Sequence, residues 1–269
     1  MASGGHSQSI SPGQEIKAEA FPSGDKIRIL DTEQEIIRIS TRKDTSGKLF
    51  VNLEPDQPGS TVYYTLNGDE LSSDDPVFIE AFELSKSKDI QYGIFEMGEL
   101  VSGVVKNRIV LHQAIGKNSE LRKYSGEALS MDASPVLLDG ILGNENYMSG
   151  QWLGFKGFDM NLVIDLGDFH YVESVTINFM NFPQAHIFMP RIVKFYYSGN
   201  DINYKQVGEV KYKQHEPGEQ AEIMEYQMDY PWIETRYIMI TAENIKKCPP
   251  GHPEHGKQAC IMADEVIVE

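Results

Sequence analysis

The densest set of reactive side chains lies near the C-terminal end. Cys248, His252, His255 and Cys260 carry the ligand types of a tetrahedral zinc site. Pro249, Pro250, Gly251 and Pro253 make the segment a loop, and its C-x3-H-x2-H-x4-C frame is not a standard zinc spacing. In an oxidising compartment the same two cysteines can instead pair as a disulfide. Two cysteines in 269 residues make no disulfide framework. Asp264 and Glu265 form the other eye-catching pair. Adjacent residues on a strand point to opposite faces, so these acids are badly placed to share one substrate. Gly154 and Gly157 lack phosphate-loop spacing, and no Ser/His/Asp nucleophile motif is present. Hydrolytic chemistry is therefore not expected of this chain.

The elements that must position these groups are strands. Val62, Tyr64 and Leu66 alternate with Thr61, Tyr63 and Thr65, and Asn67-Gly68 follows as a turn signal. Lys48 to Leu53, Ile90 to Phe95 and Arg108 to Leu111 read as further strands. After Ala114 to Asn118 the strands lengthen. Leu162, Ile164 and Leu166 alternate, as do Val175, Ile177 and Phe179, then Val193, Phe195 and Tyr197. Tyr237 to Thr241 is apolar on both faces, an interior strand, and Ile261 to Val268 closes the chain. No convincing helix exceeds two or three turns. The reading is all-β, two sandwiches in tandem with separable cores. Residues 1–25 are expected as a flexible tail, 26–115 as the first sandwich and 118–269 as the second.

Composition excludes several classes. The net charge of −16 repels phosphate backbones, so nucleic acid is not an expected partner. No apolar run reaches the ~18 residues of a membrane span. Met1 to Ser11 has neither a basic nor an apolar segment of a signal peptide. The chain is thus expected to be intracellular, or to have lost a targeting segment.

An ordered set of short motifs then resembles a known family. Leu138-Asp139-Gly140-Ile141, Trp152-Leu153-Gly154-Phe155 and Val163-Ile164-Asp165-Leu166-Gly167 are followed by Pro190-Arg191-Ile192-Val193-Lys194-Phe195, Ser198-Gly199-Asn200-Asp201, Arg236-Tyr237-Ile238 and Ala263-Asp264-Glu265-Val266. Over residues 118–269 this order resembles the coagulation factor 5/8 type C (discoidin-like) domain. It is similar in detail to the version at the C-terminus of Bacteroides-type family 20 glycoside hydrolases, the β-N-acetylhexosaminidases or chitobiases. Val62 to Glu70 resembles the small Ig-like, fibronectin-III-like sandwich that precedes it there, with Leu71 where a proline is usual. The resemblance implies an Ig-like sandwich followed by a discoidin-like jelly roll. It implies a non-catalytic accessory unit, periplasmic or at the cell surface, that binds glycans with terminal N-acetylhexosamine and adjoins a catalytic domain of the same parent. The alternatives are domains that only brace the barrel, or a stand-alone surface adhesin. The Asp-Glu pair of family 20 catalysis sits on a barrel strand, and a barrel needs ~250 residues of alternating strand and helix, which this chain lacks.

Two site expectations follow from the resemblance. Discoidin-type modules hold a calcium ion through the Asp of an Asp-Gly turn and a Glu near the C-terminus. Here those are Asp139 and Glu265, with Asn144 and Ser149 able to add oxygens. The rival reading is that Asp139 caps its turn and Glu265 is a paired acid. Second, such folds present sugar on loops at one end. Phe182, His186 and Phe188 lie in one connecting segment and His252 and His255 in another, so together they can offer rings and hydrogen bonds to an amino sugar. The rival reading makes both phenylalanines core. The family often has Trp where His186 and Cys260 stand, so two stacking rings are missing. Trp152 and Phe155 are expected in the core.

Overall fold

In the computed structural model, residues 27–29, 37–122, 128–129, 133–212 and 220–269 are described. The expected tail, residues 1–25, lies outside them. The strands are β1 (Ile27–Ile29), β2 (Ile37–Lys43), β3 (Leu49–Pro55), β4 (Val62–Thr65), β5 (Phe82–Leu84), β6 (Lys88–Glu96), β7 (Glu99–Leu100) and β8 (Val105–Ile109). Then come β9 (Asn118–Arg122), β10 (Ala128–Leu129), a single helical turn α1 (Ser134–Leu137), β11 (Ile141–Leu142) and β12 (Leu153–Lys156). The chain ends with β13 (Met160–Asn181), β14 (Ile192–Ser198), β15 (Lys205–Lys211), β16 (Glu222–Ala242) and β17 (Cys260–Val268). The protein is all-β, and every pairing between these strands is antiparallel.

The first lobe has two small sheets. One orders β2-β3-β5; the other orders β11-β8-β6-β4, with β7 on β6. Alternation puts Ile37, Ile39, Leu49, Val51 and Leu53 inward against Ile90, Tyr92 and Ile94. The Asn67-Gly68 signal does mark a turn, with Gly68 at φ +87. It does not make a two-residue hairpin, because β4 pairs with β6 rather than with the next segment. The Asn67 side chain instead accepts the Asp69 amide at 2.9 Å, and Val77 bridges back to Tyr63.

The second lobe is a larger sheet ordered β1-β12-β17-β13-β16-β14-β15, with β9 also on β13. Its axis is the long β13·β16 ladder. The register slips between Asp165 and His170 and again between Val172 and Ser174. Bulges at such points bend strands sharply. Before the bend, β13 pairs with β9; beyond it, with β17. Leu162, Ile164 and Leu166 from one half meet Val175, Ile177 and Phe179 from the other in one core, so the sheet folds onto itself as a sandwich. Tyr237 to Thr241 is interior, between β13 and β14.

The sheets draw the division between the lobes differently from the cut at residues 115–118. β1 precedes the first lobe in sequence but is added to β12 of the second. β11 follows β9 and β10 in sequence but completes the first lobe's sheet beside β8, and Ile141 joins that lobe's core. A strand of two or three residues cannot form a ladder alone, so each stray strand pairs where an edge is open.

Candidate functional site

Two clusters of chemically capable side chains emerge, one on the surface and one buried. The surface cluster lies where β13 leaves for β14. Pro183 at the start of a 3-10 turn (Pro183–Ala185) sets the entry, and His186 ends it with φ +62. That left-handed conformation is uncommon for a side-chain-bearing residue. It is held by the His186 amide on the Pro183 carbonyl (2.8 Å), and by the Cys260 amide, which donates to the His186 carbonyl at 2.8 Å. The Phe188 amide in turn donates to the Cys260 carbonyl at 2.9 Å. β17 therefore pins the His186–Phe188 segment against the second loop.

That second loop folds by its own turns. The Cys248 amide donates to the Lys257 carbonyl (2.8 Å), and the His255 amide to the His252 carbonyl (3.0 Å). The rings of His186 and Phe188 each sit 5.6 Å from the His252 ring, edge to face. A His252 ring nitrogen, Nε2, lies 3.0 Å from the Pro183 carbonyl. His186 Nε2 lies 2.5 Å from Glu254, whose other oxygen takes the Lys257 ammonium at 2.6 Å. The lysine holds the Glu254 carboxyl below the usual range. Phe188, His252 and His255 line an open depression of ≈ 1330 Å³, with Arg191 and Tyr212 across it.

Four of the five expected glycan residues thus come together. Phe182 does not. Its ring turns inward onto Tyr147, 6.0 Å away, and the small cluster of Trp152, Met180, Ile187 and Met262. The reason is local: Phe182 and Ile187 bridge each other's backbone and close the turn, which leaves Phe182 facing the core. Glu254, Lys257 and Arg191 were missed by the sequence reading. The proximity of Glu254 to His252 and His255 in the loop was the available signal.

Zinc finds no set here. Among the described residues no three His, Cys, Asp or Glu side chains are gathered to hold a metal, and Cys248 and Cys260 are free thiols. Burial pushes the Cys260 thiol up to about 12. Trp152 is core as expected, 1% exposed, its indole N–H on the Asn144 carbonyl at 2.9 Å.

The buried cluster joins the lobes. Glu265 is fully buried and accepts the amides of Asp139 (3.1 Å) and Gly140 (2.8 Å) on one oxygen. Its other oxygen meets His112 Nε2 at 2.8 Å. His112 Nδ1 faces the amides of Ala114 and Val268, so Nε2 carries the proton and donates to Glu265. Asp264 takes the Gly143 amide at 2.7 Å. The two neighbouring acids therefore grip opposite ends of one loop.

This geometry favours the rival reading of the residues expected to hold calcium. Asp139 and Glu265 are adjacent, but Glu265 already serves three N–H donors and Asp139 Oδ1 accepts the Ile141 amide at 2.8 Å. Burial, and then the charge of Glu265, raise the Asp139 carboxyl well above the usual range, and burial raises Glu265 in the same direction, so the pair resists carrying two charges. Asn144 spends its side-chain oxygen on the Asn146 amide, while Ser149 lines the same cavity as Asp139. Among the described residues no three His, Cys, Asp or Glu side chains are placed to hold a metal here, and Asp139 and Glu265 take the turn-capping and paired-acid roles.

No family model matches the chain, and no curated protein matches it. Several solved structures do at low identity. A Streptococcus pneumoniae fucose binding module is 16% identical, covering 60% of this chain and 98% of its own, with a TM-score of 0.35. A Clostridium perfringens CBM32 module in complex with GlcNAc-alpha-1,4-galactose is 16% identical over 59% of this chain and 94% of its own, TM-score 0.37. A Ruminococcus gnavus GH29 fucosidase in complex with fucose is 17% identical over 44% of this chain, TM-score 0.31. The matched region spans only 19% of that fucosidase chain.

Proposed function

We propose that this chain is a non-catalytic, carbohydrate-binding accessory unit of a glycoside hydrolase, and that sugar docks in the depression at His252. The observation that carries the reading is the contact of the His186, Phe188 and His252 rings, of which Phe188 and His252 line the depression, with Glu254 and Lys257 paired beside His186. A ring face can take the C–H face of a pyranose while charged and imidazole groups take its hydroxyls. The finer reading, from the motif resemblance, is a terminal N-acetylhexosamine as ligand and a family 20 enzyme as parent, outside the cytoplasm. The strand exchange between the lobes favours a second role as a stiff spacer, which is compatible with the first.

The test is a titration with N-acetylglucosamine and N-acetylgalactosamine, read from amide resonances of residues 183–191 and 248–257. Saturating shifts are expected, with Kd on the order of 0.1–1 mM for so open a site. His252→Ala should weaken binding at least tenfold. Flat titrations for both sugars at tens of millimolar would leave only the spacer role.

A further inference from the structure

A second cavity, of ≈ 350 Å³, lies between the lobes. Its walls come from both: Arg38, Thr41 and Asp56 from the first, and Asp139, Ser149 and Gln151 from the second. That volume is at the small end of ligand pockets. Two of its lining groups are unusual. Ser149 is 3% exposed and Gln151 7% exposed, yet among the described residues Ser149 Oγ and Gln151 Oε1 have no hydrogen-bond partner. Buried polar atoms in native proteins are almost always paired, so two orphans on one cavity wall ask for a partner inside it.

Other polar groups at the wall are already engaged. The Thr41 hydroxyl donates to the Asp139 carbonyl, and the Asp139 carboxyl is turned to the Ile141 amide and to Glu265. At the edge, Arg38 and Asp56 are loosely paired at 3.5 Å and offset each other's charge. The ligand must therefore donate to Gln151 Oε1 and exchange a hydrogen bond with Ser149. It needs no net charge. Among the described lining residues Arg38 is the one cation and Asp56 offsets it, so the wall carries no net positive charge to select a phosphate or carboxylate. Hydroxyl groups both donate and accept, and Ile39 and Pro135 supply apolar wall for C–H groups.

We propose that this interlobe cavity is a second ligand site, for a neutral polyhydroxylated molecule of monosaccharide size. It stands independently of the depression at His252. Binding there would bridge the lobes.

Trp152 reports on the site. It follows Gln151 in the chain, it is buried, and its only fellow tryptophan, Trp232, is 66% exposed on β16. Galactose, N-acetylglucosamine and myo-inositol would each be titrated into the full chain, following the Trp152 indole and Gln151 carboxamide resonances. At least one should shift both signals saturably with a millimolar midpoint. Gln151→Leu and Ser149→Ala should each weaken that response at least tenfold, whereas His252→Ala should leave it unchanged. Should Gln151→Leu fail to fold, Ser149→Ala alone decides. The site is overturned if none of the three polyols moves these signals at roughly 50 mM, far above the affinities of shallow polar sites. It is equally overturned if ethylammonium moves them and the polyols do not. A response lost in His252→Ala would assign it to the other depression instead.

Discussion

At the scale of single residues, the buried acids set how stability depends on pH. Burial raises the Asp264 carboxyl from 3.8 to about 8. Burial, and then the charge of Lys43, lowers the His112 imidazole from 6.5 to about 3. Between pH 3.8 and 8 the folded chain holds a proton on Asp264 that the unfolded chain has released, so this group makes stability fall as pH rises. Between pH 3 and 6.5 the unfolded chain holds a proton on His112 that the folded chain refuses, so this group makes stability rise with pH. The two oppose up to pH 6.5; beyond it His112 no longer contributes, and Asp264 acts in the same direction as the buried carboxyls of Asp139 and Glu265, which are also raised. At roughly 1.4 kcal/mol per pH unit for one proton, the Asp264 share of the loss between pH 6.5 and 8 should be about 2 kcal/mol. Urea unfolding at pH 6.5 and 8 measures it. Asp264→Asn keeps an acceptor for the Gly143 amide, and it should flatten the decline. An equally steep decline in that variant would remove Asp264 as the cause. None of this was legible in the sequence. His112 and Glu265 are 153 positions apart, and no local pattern ties a lone histidine to a distant acid. The Asp264-Glu265 pair was legible only in the negative, as a pair unable to share one substrate.

At the scale of elements, period-two alternation located most strands. Leu162 to Leu166, Val175 to Phe179 and Val193 to Tyr197 all lie within strands that bury those residues in one core. What alternation could not show is that the first two belong to one 22-residue strand, β13, bent at its bulges. Gly167, at φ +86, and Asp168 lie inside that strand, where the register slips before the ladder to β16 resumes at His170. The histidine and phenylalanine cluster was legible as two loop segments; which rings face out was not, because that depends on the bridge from Phe182 to Ile187. The loop gripped by the two acids makes its own demand. Gly140 has φ +80, and a Cβ there would lie 2.8 Å from Ile115 Cδ1 and 3.0 Å from the Val110 carbonyl. The backbone oxygen cannot give way as a side-chain end can. Gly140→Ala should therefore cost about 1–3 kcal/mol, lowering Tm by several degrees. Gly116 shares a positive φ of +68 but faces open space, so Gly116→Ala should lose less. Equal losses in the two variants would show that backbone strain, rather than the close approach, dominates at Gly140.

At the scale of the whole molecule, the motifs suggested two sandwiches in series, and the strands exchange between them. β11 completes the first lobe's sheet against β8, and the Val110 amide donates to the Gly140 carbonyl at 2.8 Å. The Gln113 amide donates to the Val268 carbonyl at 2.9 Å, so the last strand also holds the connection. Ile141 is fully buried in the first core although it is carried by the same loop that Glu265 and Asp264 grip. Unfolding the second lobe would release that loop, and with it an edge strand and a core residue of the first. The lobes should therefore melt together. Calorimetry is expected to give one transition with calorimetric and van't Hoff enthalpies equal. Ile141→Ala should lower that single Tm, by a loss on the order of 2–5 kcal/mol for a fully buried side chain, rather than split the curve. Glu265→Ala should do the same more strongly, since it strands two amides and His112 in the interior. Two resolved transitions in the parent chain, with only the earlier one moved by Ile141→Ala, would mean that the lobes are thermodynamically separate and that the shared strands add little.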